Sequence, residues 1–455
     1  MSAQTAIRPG AAASANMPYA DARPILDAIR DDLLPPELRA RTQADIESAW
    51  PRWVSERDAQ IRARLEEGDR DSIINFLLFG VTFTQQPRTR ARDILVLASQ
   101  GRTADIVQGP IVQRRIEDLV AGAASPGAGE RLQFVRRVLE ARGADPTTPT
   151  GRSQARRYLN DGLGSVLAEY EAYSQAPAPE QSVRFGERGL SSDTSLSPGF
   201  AIEQALEAIK AQRLLGAGSV RRIAIVGPGL DFTDKREGYD FYPQQTLQPF
   251  AVMDSLIRLG LADTNVGATH ASPLQVTTFD LSDRVNQHLE AARQRARSGD
   301  AYVLQLPRDK DAAWAQPLIT YWERFGDRIG EPATPIAAPL ELGGVDVRAV
   351  RVPAAALLAI TPHDLNIVLQ RLEPLADGDR FDLIIATNLL VYYDGFERSL
   401  ALVNVGKMLR PGGLFLANNS SPVVLPPSMD SAGYSETVFS NRLNDRDRIN
   451  WYRRR

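Results

Sequence analysis

Apolar residues recur at helical spacing from Tyr19 to about Tyr173, and no stretch there alternates as a strand would. Ile25, Leu26 and Ile29 make one short amphipathic turn, stopped by Pro35-Pro36. Residues 44–67 carry Ile46, Trp50, Trp53 and Ile61 on a charged background, and this helix is predicted to kink or break at Pro51. Residues 71–83 hold Ile73, Ile74, Phe76, Leu77, Leu78 and Phe79, which predicts the buried helix of the array. Residues 90–97, 111–120, 130–142 and 152–173 complete it. Six or seven short helices give an all-α domain of about 150 residues, a usual domain size.

From Val220 the pattern changes. Short unbroken apolar runs, suited to strands buried on both faces of a parallel sheet, alternate with helical stretches. The runs predict strands at 223–226, 274–279, 301–306, 345–352, 381–386 and 414–417, then an antiparallel pair at 436–440 and 448–452. Helices are predicted at 283–297, 314–325 and 364–372, at 249–259 ended by Gly260, and over a stretch reaching about Leu215. That last helix starts with Ser197 as N-cap and Pro198 at its first position. A further helix begins at Asp394, where Glu397 completes a capping box, and stops at Pro411-Gly412-Gly413. This order is an α/β, doubly wound, Rossmann-like sheet with a C-terminal antiparallel strand pair, preceded by an all-α domain. Gln-Ala-Pro-Ala-Pro-Glu at 175–180 is a proline-rich hinge. The organisation predicted is a disordered tail (1–18), a helical domain (19–174), a hinge, lid loop and connecting helix (175–219), and the α/β domain (220–455).

Composition narrows the chemistry. The 455 residues are 43% hydrophobic and 24% charged, with a net charge of −3, so no basic footprint for nucleic acid is expected. The only lysines are Lys210, Lys235, Lys310 and Lys407, and with abundant alanine this points to a GC-rich bacterial genome. No cysteine is present, which excludes disulfides, thiolate metal sites and cysteine nucleophiles. His270, His288 and His363 are too scattered to suggest a metal site. No apolar run approaches the ~20 residues that cross a bilayer, and residues 1–17 lack a signal core, so a cytoplasmic protein is expected.

The candidate chemistry gathers at strand ends. Ile223–Val226 runs straight into Gly227-Pro228-Gly229, where missing Cβ atoms let a ligand approach the backbone. The turn is either a nucleotide-binding turn or an ordinary tight one. The next strand closes on Asp280, a carboxylate placed either to accept from a ribose diol or to cap the following helix, where Ser282 is an equal candidate. The loop 184–200 embeds Arg188, Asp193 and Thr194 among glycines and hydroxyls and suits a lid, a helix entrance, or both. The loop 232–243 concentrates polar and aromatic residues, Tyr239 and Tyr242 among them. The strand from Phe381 ends at polar Thr387-Asn388.

These residues carry a resemblance. Ile-Val-Gly-Pro-Gly, the strand ending in Asp280, Phe-Asp-Leu-Ile-Ile-Ala-Thr-Asn and Leu-Arg-Pro-Gly-Gly-Leu-Phe-Leu resemble class I S-adenosylmethionine-dependent methyltransferases. The stretch Ala-Thr-Asn-Leu-Leu-Val-Tyr-Tyr-Asp is similar to a segment of chemotaxis-receptor (CheR-type) enzymes, which also join a helical domain to this fold. The resemblance covers roughly residues 220–455. It implies S-adenosyl-L-methionine as cofactor, with Gly227, Pro228 and Gly229 along its methionine part. It implies Asp280, with Leu281 beside it, on the ribose hydroxyls. Residues after 345–352, such as Pro353, would flank the adenine. It places Thr387, Asn388 and Leu389 beside the sulfonium and Tyr392 nearby. Asn388 and Tyr392 would orient the methyl acceptor, whereas Tyr393 reads as packing. Three positions depart from the pattern: Ile225 replaces an acid, Asp231 replaces a third glycine, and Thr387 replaces an arginine. Asp231 faces the cofactor ammonium or caps a helix. Thr387 weakens the expectation of a receptor-glutamate substrate. The acceptor, a small molecule or a protein side chain, would sit under the helical domain and the lid, with Arg188, Asp193, Thr194, Tyr239 and Tyr242 around it. A nicotinamide-dependent oxidoreductase and a non-catalytic binding scaffold are the alternatives; the first lacks any Tyr-x-x-x-Lys pair.

Overall fold

The computed structural model describes residues 12–39, 41–89, 91–175, 189–233, 239–263, 274–418, 424–442 and 445–455. Strand β1 (Ala13–Asn16) precedes helices α1 (Tyr19–Ala28), α2 (Gln43–Phe79), α3 (Ala91–Ser99), α4 (Thr103–Val107), α5 (Pro110–Ala124), α6 (Glu130–Ala141) and α7 (Pro149–Gln175). Helix α8 (Ser197–Ala211) leads into β2 (Arg222–Val226), α9 (Gln248–Arg258), β3 (Gln275–Asp280) and α10 (Asp283–Arg297). Then come β4 (Tyr302–Asp309), α11 (Gln316–Arg324), β5 (Glu331–Ala333), β6 (Val345–Val352), α12 (Ala354–Leu358), β7 (Ile360–Asp364) and β8 (Gln370–Glu373). The chain closes with β9 (Phe381–Ala386), α13 (Gly395–Met408), β10 (Leu409–Ala417), β11 (Met429–Val438) and β12 (Arg446–Arg454). Among the described residues no helix is long and apolar enough to cross a membrane.

The fold is α/β. Seven strands form the central sheet in the order β7-β3-β2-β9-β10-β12-β11. The first five run parallel, and β12 is antiparallel to both its neighbours. Order reverses at β2: β3 and β7 lie on one side, β9 and β10 on the other. Local signals place several elements well. Asp394 and Glu397 form the expected capping box at the start of α13, with Glu397 N–H donating to Asp394 Oδ1 at 2.8 Å and Asp394 N–H to Glu397 Oε2 at 3.0 Å. The glycines after β2 take positive φ, +67° at Gly227 and +62° at Gly229, as a turn of this kind demands. Helix α8 starts one residue early: Leu196 is the N-cap and Ser197 is already helical.

Other expectations give way to tertiary context. The stretch 364–372 is not a helix. It holds the end of β7, a turn and β8, and β7 supplies the strand beside β3. Pro362 hides this strand from a sequence reading, because proline cannot donate to a ladder; β7 is an edge strand, where that donor is not needed. The runs at 301–306 and 345–352 are strands, but they leave the central sheet and pair antiparallel in a small β4-β6-β5 sheet. Helix α2 runs unbroken for 37 residues, through both Pro51 and Gly68. Its first turn is fixed by a second capping box, Thr42 with Asp45.

The expected boundary near residue 174 does not coincide with a gap between cores. The first half of α2 (Trp50, Trp53, Val54, Ile61) shares a core with α1, α13 and one face of the sheet, including Val226, Phe279, Ile384 and Phe415. Helices α8, α9 and α10 and the small sheet cover the other face. The second half of α2 (Ile73 to Phe79) packs instead with α3 to α7. Residues 12–18, expected in a disordered tail, are ordered: β1 pairs antiparallel with β8, and Trp50 Nε1 donates to the buried Met17 carbonyl at 2.8 Å. Residues 1–11 of that tail lie outside the described residues.

A contact at Phe232 ties the helical bundle to the loop after β2. Phe232, three residues past Gly229, is fully buried in the bundle core with its ring 5.7 Å from Phe76 and 5.2 Å from Phe134. Its backbone turns inward with it, and buried Arg131 satisfies the carbonyls: it donates to those of Phe232, Asp240 (3.0 Å), Tyr242 (2.6 Å) and Asp231 (3.3 Å). Phe232→Ala is expected to cost about 3–5 kcal/mol, the usual loss for a buried phenylalanine. Urea melts followed by far-UV circular dichroism check this. Because the ring lies in the helical core while its backbone belongs to the loop after β2, the midpoint should fall without the transition splitting.

Candidate functional site

The carboxyl ends of β2, β3 and β9 open on one cleft at the point where strand order reverses, the usual ligand crevice of an open α/β sheet. The glycine turn forms its floor. Gly227 N–H donates to the Phe279 carbonyl at 2.8 Å, which ties the turn to the end of β3. A Cβ on Gly227 would come within 3.3 Å of Leu389. At Gly229 the crowding comes from protein: a Cβ there would stand 2.8 Å from the Ser192 carbonyl oxygen. Part of the glycine requirement is therefore the close passage of residues 192–194, not space for a ligand.

Asp280 closes β3 inside the cleft. It accepts from Ser282 N–H at 2.8 Å, and the Gly229 N–H lies on the same side and favours its charge. Burial opposes its charge, and although both N–H groups favour the carboxylate, burial pushes its pKa up to about 7. Ser282, not Asp280, stands at the N-cap of α10.

The end of β9 is held on two sides. Gln248, first residue of α9, donates from Nε2 to Thr387 Oγ1 at 2.6 Å, and both are buried. Asn388 sits at φ +57°, a left-handed conformation that asparagine tolerates better than most residues. Its N–H donates to Asn418 Oδ1 at 2.6 Å, and Asn418 Nδ2 donates to Asn388 Oδ1 and, at 3.1 Å, to Asp447. Asn388 is thereby oriented from the end of the neighbouring strand β10.

A strap, Leu190 to Thr194, covers the cleft. It runs parallel to the glycine turn, with Leu230 N–H on the Ser192 carbonyl (2.8 Å) and Thr194 N–H on the Leu230 carbonyl (2.9 Å). Asp193 accepts from Ser72 Oγ at 3.0 Å and faces Arg284 Nη2 at 3.5 Å. Where the strap crosses α2, Leu190 N–H donates to the Arg64 carbonyl, and a Cβ on Gly68 would lie 1.8 Å from the Leu190 carbonyl oxygen. That close passage explains a glycine in mid-helix.

The cleft gathers Gly227, Gly229, Asp280, Leu281, Thr387, Asn388, Leu389, Asp193 and Thr194. Other expected residues lie elsewhere. Pro228 is buried and does not line it. Asp231 turns away: its Oδ2 accepts from Tyr242 Oη (3.0 Å) and Gln245 Nε2 (2.9 Å), and it lines a second cavity with Tyr239 and Tyr242. It neither reaches the cleft nor caps a helix, because Phe232 draws the following backbone into the helical core. Tyr392 does not line the cleft. Its neighbour Tyr393, expected as packing, does. Pro353 is the N-cap of α12 and is not in the cleft; since β7 is the true neighbour of β3, Leu365 and Ile367 take the place expected for residues after β6. Arg188 lies outside the described residues. Leu65, Gln248, Leu365 and Ile367 in the cleft, and Asn418 behind Asn388, went unpredicted. The polar Gln248 before Pro249 at a helix start was the one local hint.

No protein-family model matches the chain, and no curated protein matches it. Among solved structures it is similar to the glycopeptide N-methyltransferase MtfA complexed with S-adenosyl-L-methionine, at 12% identity over 56% of this chain and 93% of that one, with a TM-score of 0.24. It is also similar to the CMeT domain of the citrinin polyketide synthase, at 14% identity over 87% of this chain and 96% of that one, with a TM-score of 0.28. MtfA complexed with S-adenosyl-L-homocysteine gives 13% identity, 60% and 81% coverage and a TM-score of 0.22. Likeness this slight carries no function across.

Gly68→Ala isolates the strap. In an exposed helix this change gains about 1 kcal/mol; here the new methyl collides with the Leu190 carbonyl. A net loss of thermal stability is expected, together with faster proteolysis within residues 189–194. A stabilised protein with an unchanged cleavage pattern would show that the close passage does not matter.

Proposed function

We propose that this chain transfers a methyl group from S-adenosylmethionine to an acceptor molecule. The observation that carries the reading is the buried carboxylate of Asp280, set at the end of β3 with the Ser282 N–H donating to it and the glycine turn alongside. A carboxylate so placed suits a ribose diol, and the apolar residues around it suit a purine. The sheet order, with antiparallel β12 between β10 and β11, agrees with the methyltransferase resemblance of the sequence.

The residues fit the cofactor part by part. Asp280 would accept from the ribose hydroxyls, Leu281, Leu365 and Ile367 would flank the adenine, and Gly227 would let the methionine portion lie against the backbone. When bound, the sulfonium supplies an activated methyl group. The protein's share is then mainly placement, which can supply several kcal/mol of the barrier. Asn388, locked by Asn418, and Tyr393 at the cleft wall would orient the acceptor. Burial raises the Tyr393 phenol above its ordinary value, so it stays protonated and acts as a hydrogen-bond donor, not a base.

Differential scanning fluorimetry with S-adenosylhomocysteine, S-adenosylmethionine and the nicotinamide dinucleotides tests the reading. Either adenosyl ligand at about 100 times its Kd should add about 2.7 kcal/mol of stability. Asp280→Ala should remove that gain, and the dinucleotides should add none. Stabilisation by a dinucleotide alone would favour an oxidoreductase; none by any ligand would favour a scaffold.

The Asp280 pKa gives a second test. Only the ionised carboxylate accepts from both ribose hydroxyls, so affinity for S-adenosylhomocysteine should fall as pH drops through about 7, by up to tenfold per unit. Isothermal titration calorimetry should show this slope in the wild type and a weak, flat profile in Asp280→Asn. The contribution of Asp280 to folding runs the other way. Its folded pKa lies above the unfolded value, so without ligand this group favours the folded state more as pH falls from about 7 toward 4.

A further inference from the structure

The strap over the cleft carries a carboxylate with one oxygen that lacks a donor. Asp193 pairs with Leu230, just past the glycine turn, and its side chain is 3% exposed. Its Oδ1 accepts from Ser72 Oγ at 3.0 Å and faces Arg284 Nη2 at 3.5 Å. Its Oδ2 is buried and has no hydrogen-bond partner among the described residues. A buried carboxylate oxygen without a donor is destabilising, and native proteins seldom keep one without a use. Arg284 does not relieve it. The guanidinium lies over the rings of Phe134 (4.3 Å) and Phe232 (4.8 Å) and meets Asp193 through Nη2, on Oδ1.

The place of Asp193 narrows what that oxygen would receive. Among the described residues, Asp193 and Asp280 are the carboxylates that line the cleft. Asp280, closing β3, is the one matched to a ribose diol. Asp193 arrives on the strap, which crosses the glycine turn so closely that a Cβ on Gly229 would stand 2.8 Å from the Ser192 carbonyl oxygen. The methionine portion of the cofactor would lie along this turn, and that portion ends in an ammonium. Asp231, the acid to which the sequence points for this ammonium, accepts instead from Tyr242 and Gln245 beside the second cavity. An ammonium brings three donors and a positive charge, and a poorly solvated carboxylate attracts it more strongly than one in water.

We propose that Asp193 Oδ2 accepts from the ammonium of the cofactor's methionine portion, and that this contact locks the strap over the cleft. The inference rests on the methyltransferase reading and adds to it a means of closure. Oδ1 ties the strap to Ser72 on α2 and Arg284 on α10 with or without cofactor. Oδ2 completes the clamp only when the cofactor is bound. The helical half and the sheet are thus both drawn into the closed state through one side chain.

The test is calorimetry on the full chain with two ligands. S-adenosylhomocysteine carries the ammonium; methylthioadenosine keeps the adenosyl thioether and lacks the amino-acid portion. Asp193→Asn keeps an oxygen for Ser72 and Arg284 and replaces the other with NH2. It should weaken S-adenosylhomocysteine by about tenfold or more and leave methylthioadenosine within about threefold, which also shows that the variant folds. The Leu190 and Thr194 amides, both hydrogen-bonded in the strap, report closure. Their hydrogen exchange should slow by about tenfold when S-adenosylhomocysteine binds the wild type, and far less with methylthioadenosine or in Asp193→Asn. Equal losses for the two ligands would assign Oδ2 to the sugar or to the fold and overturn the proposal. Unchanged S-adenosylhomocysteine affinity in the variant, or equal slowing of exchange by both ligands, would overturn it too. These outcomes leave the methyltransferase reading standing, whereas failure of both ligands to bind the wild type would remove that reading and this inference together.

Discussion

The structure depends on how one buried arginine settles the backbone around Phe232. A phenylalanine three residues past a glycine turn can enter a neighbouring core only if the backbone goes with it, and buried carbonyls need partners. Arg131 donates to four of them. Asp240 adds a second tie, accepting from Val81 N–H and Thr82 N–H at the end of α2. The loop after β2 thus belongs to the helical bundle as much as to the sheet. Two consequences follow for the site: Asp231 is carried away from the cleft, and the helical half is fixed relative to the glycine turn.

The site divides by dielectric environment. Asp280 lies where burial outweighs the two N–H groups that favour its charge. Asp193 is also buried, yet it keeps a hydroxyl and a guanidinium close by. The two carboxylates are therefore suited to different work. Asp193 holds the strap to α2 and α10, and Asp280 is the carboxylate that the proposed reading assigns to a ligand. Among the described residues, the titratable side chains that line the cleft are Asp193, Asp280 and Tyr393.

Features set by near neighbours in the chain were legible before the fold was known. The capping box at Asp394 and Glu397, the glycine turn, the strand ending in Asp280 and the final antiparallel pair each follow from residues within a few positions. What escaped depends on distant partners. Ile360–Asp364 did not look like a strand because Pro362 is tolerable only at an edge, and edges are defined by topology. The strand at 345–352 read correctly as a strand, yet nothing local told which sheet it joins. Gly68 read as a gap between helices because Leu190, which needs that gap filled by hydrogen alone, lies far along the chain. Gln248 and Asn418 act through side chains on other elements, so sequence proximity to a motif could not select them. The choice between Tyr392 and Tyr393 turned on one residue of phase in a short turn.

Strand β1 is the first described element of the chain, yet its partner β8 and the helix that α1 packs against, α13, lie near the other end, with Ser14 donating to a carbonyl 350 residues downstream. At about 5–20 residues per second, a ribosome needs on the order of tens of seconds to supply those partners. Until then Met17, Ile25 and Trp50 have no sheet to cover and remain apolar surface on a growing polypeptide. The beginning of this protein is among the last parts able to settle, and its early hydrophobic residues are where a holding chaperone would be needed most.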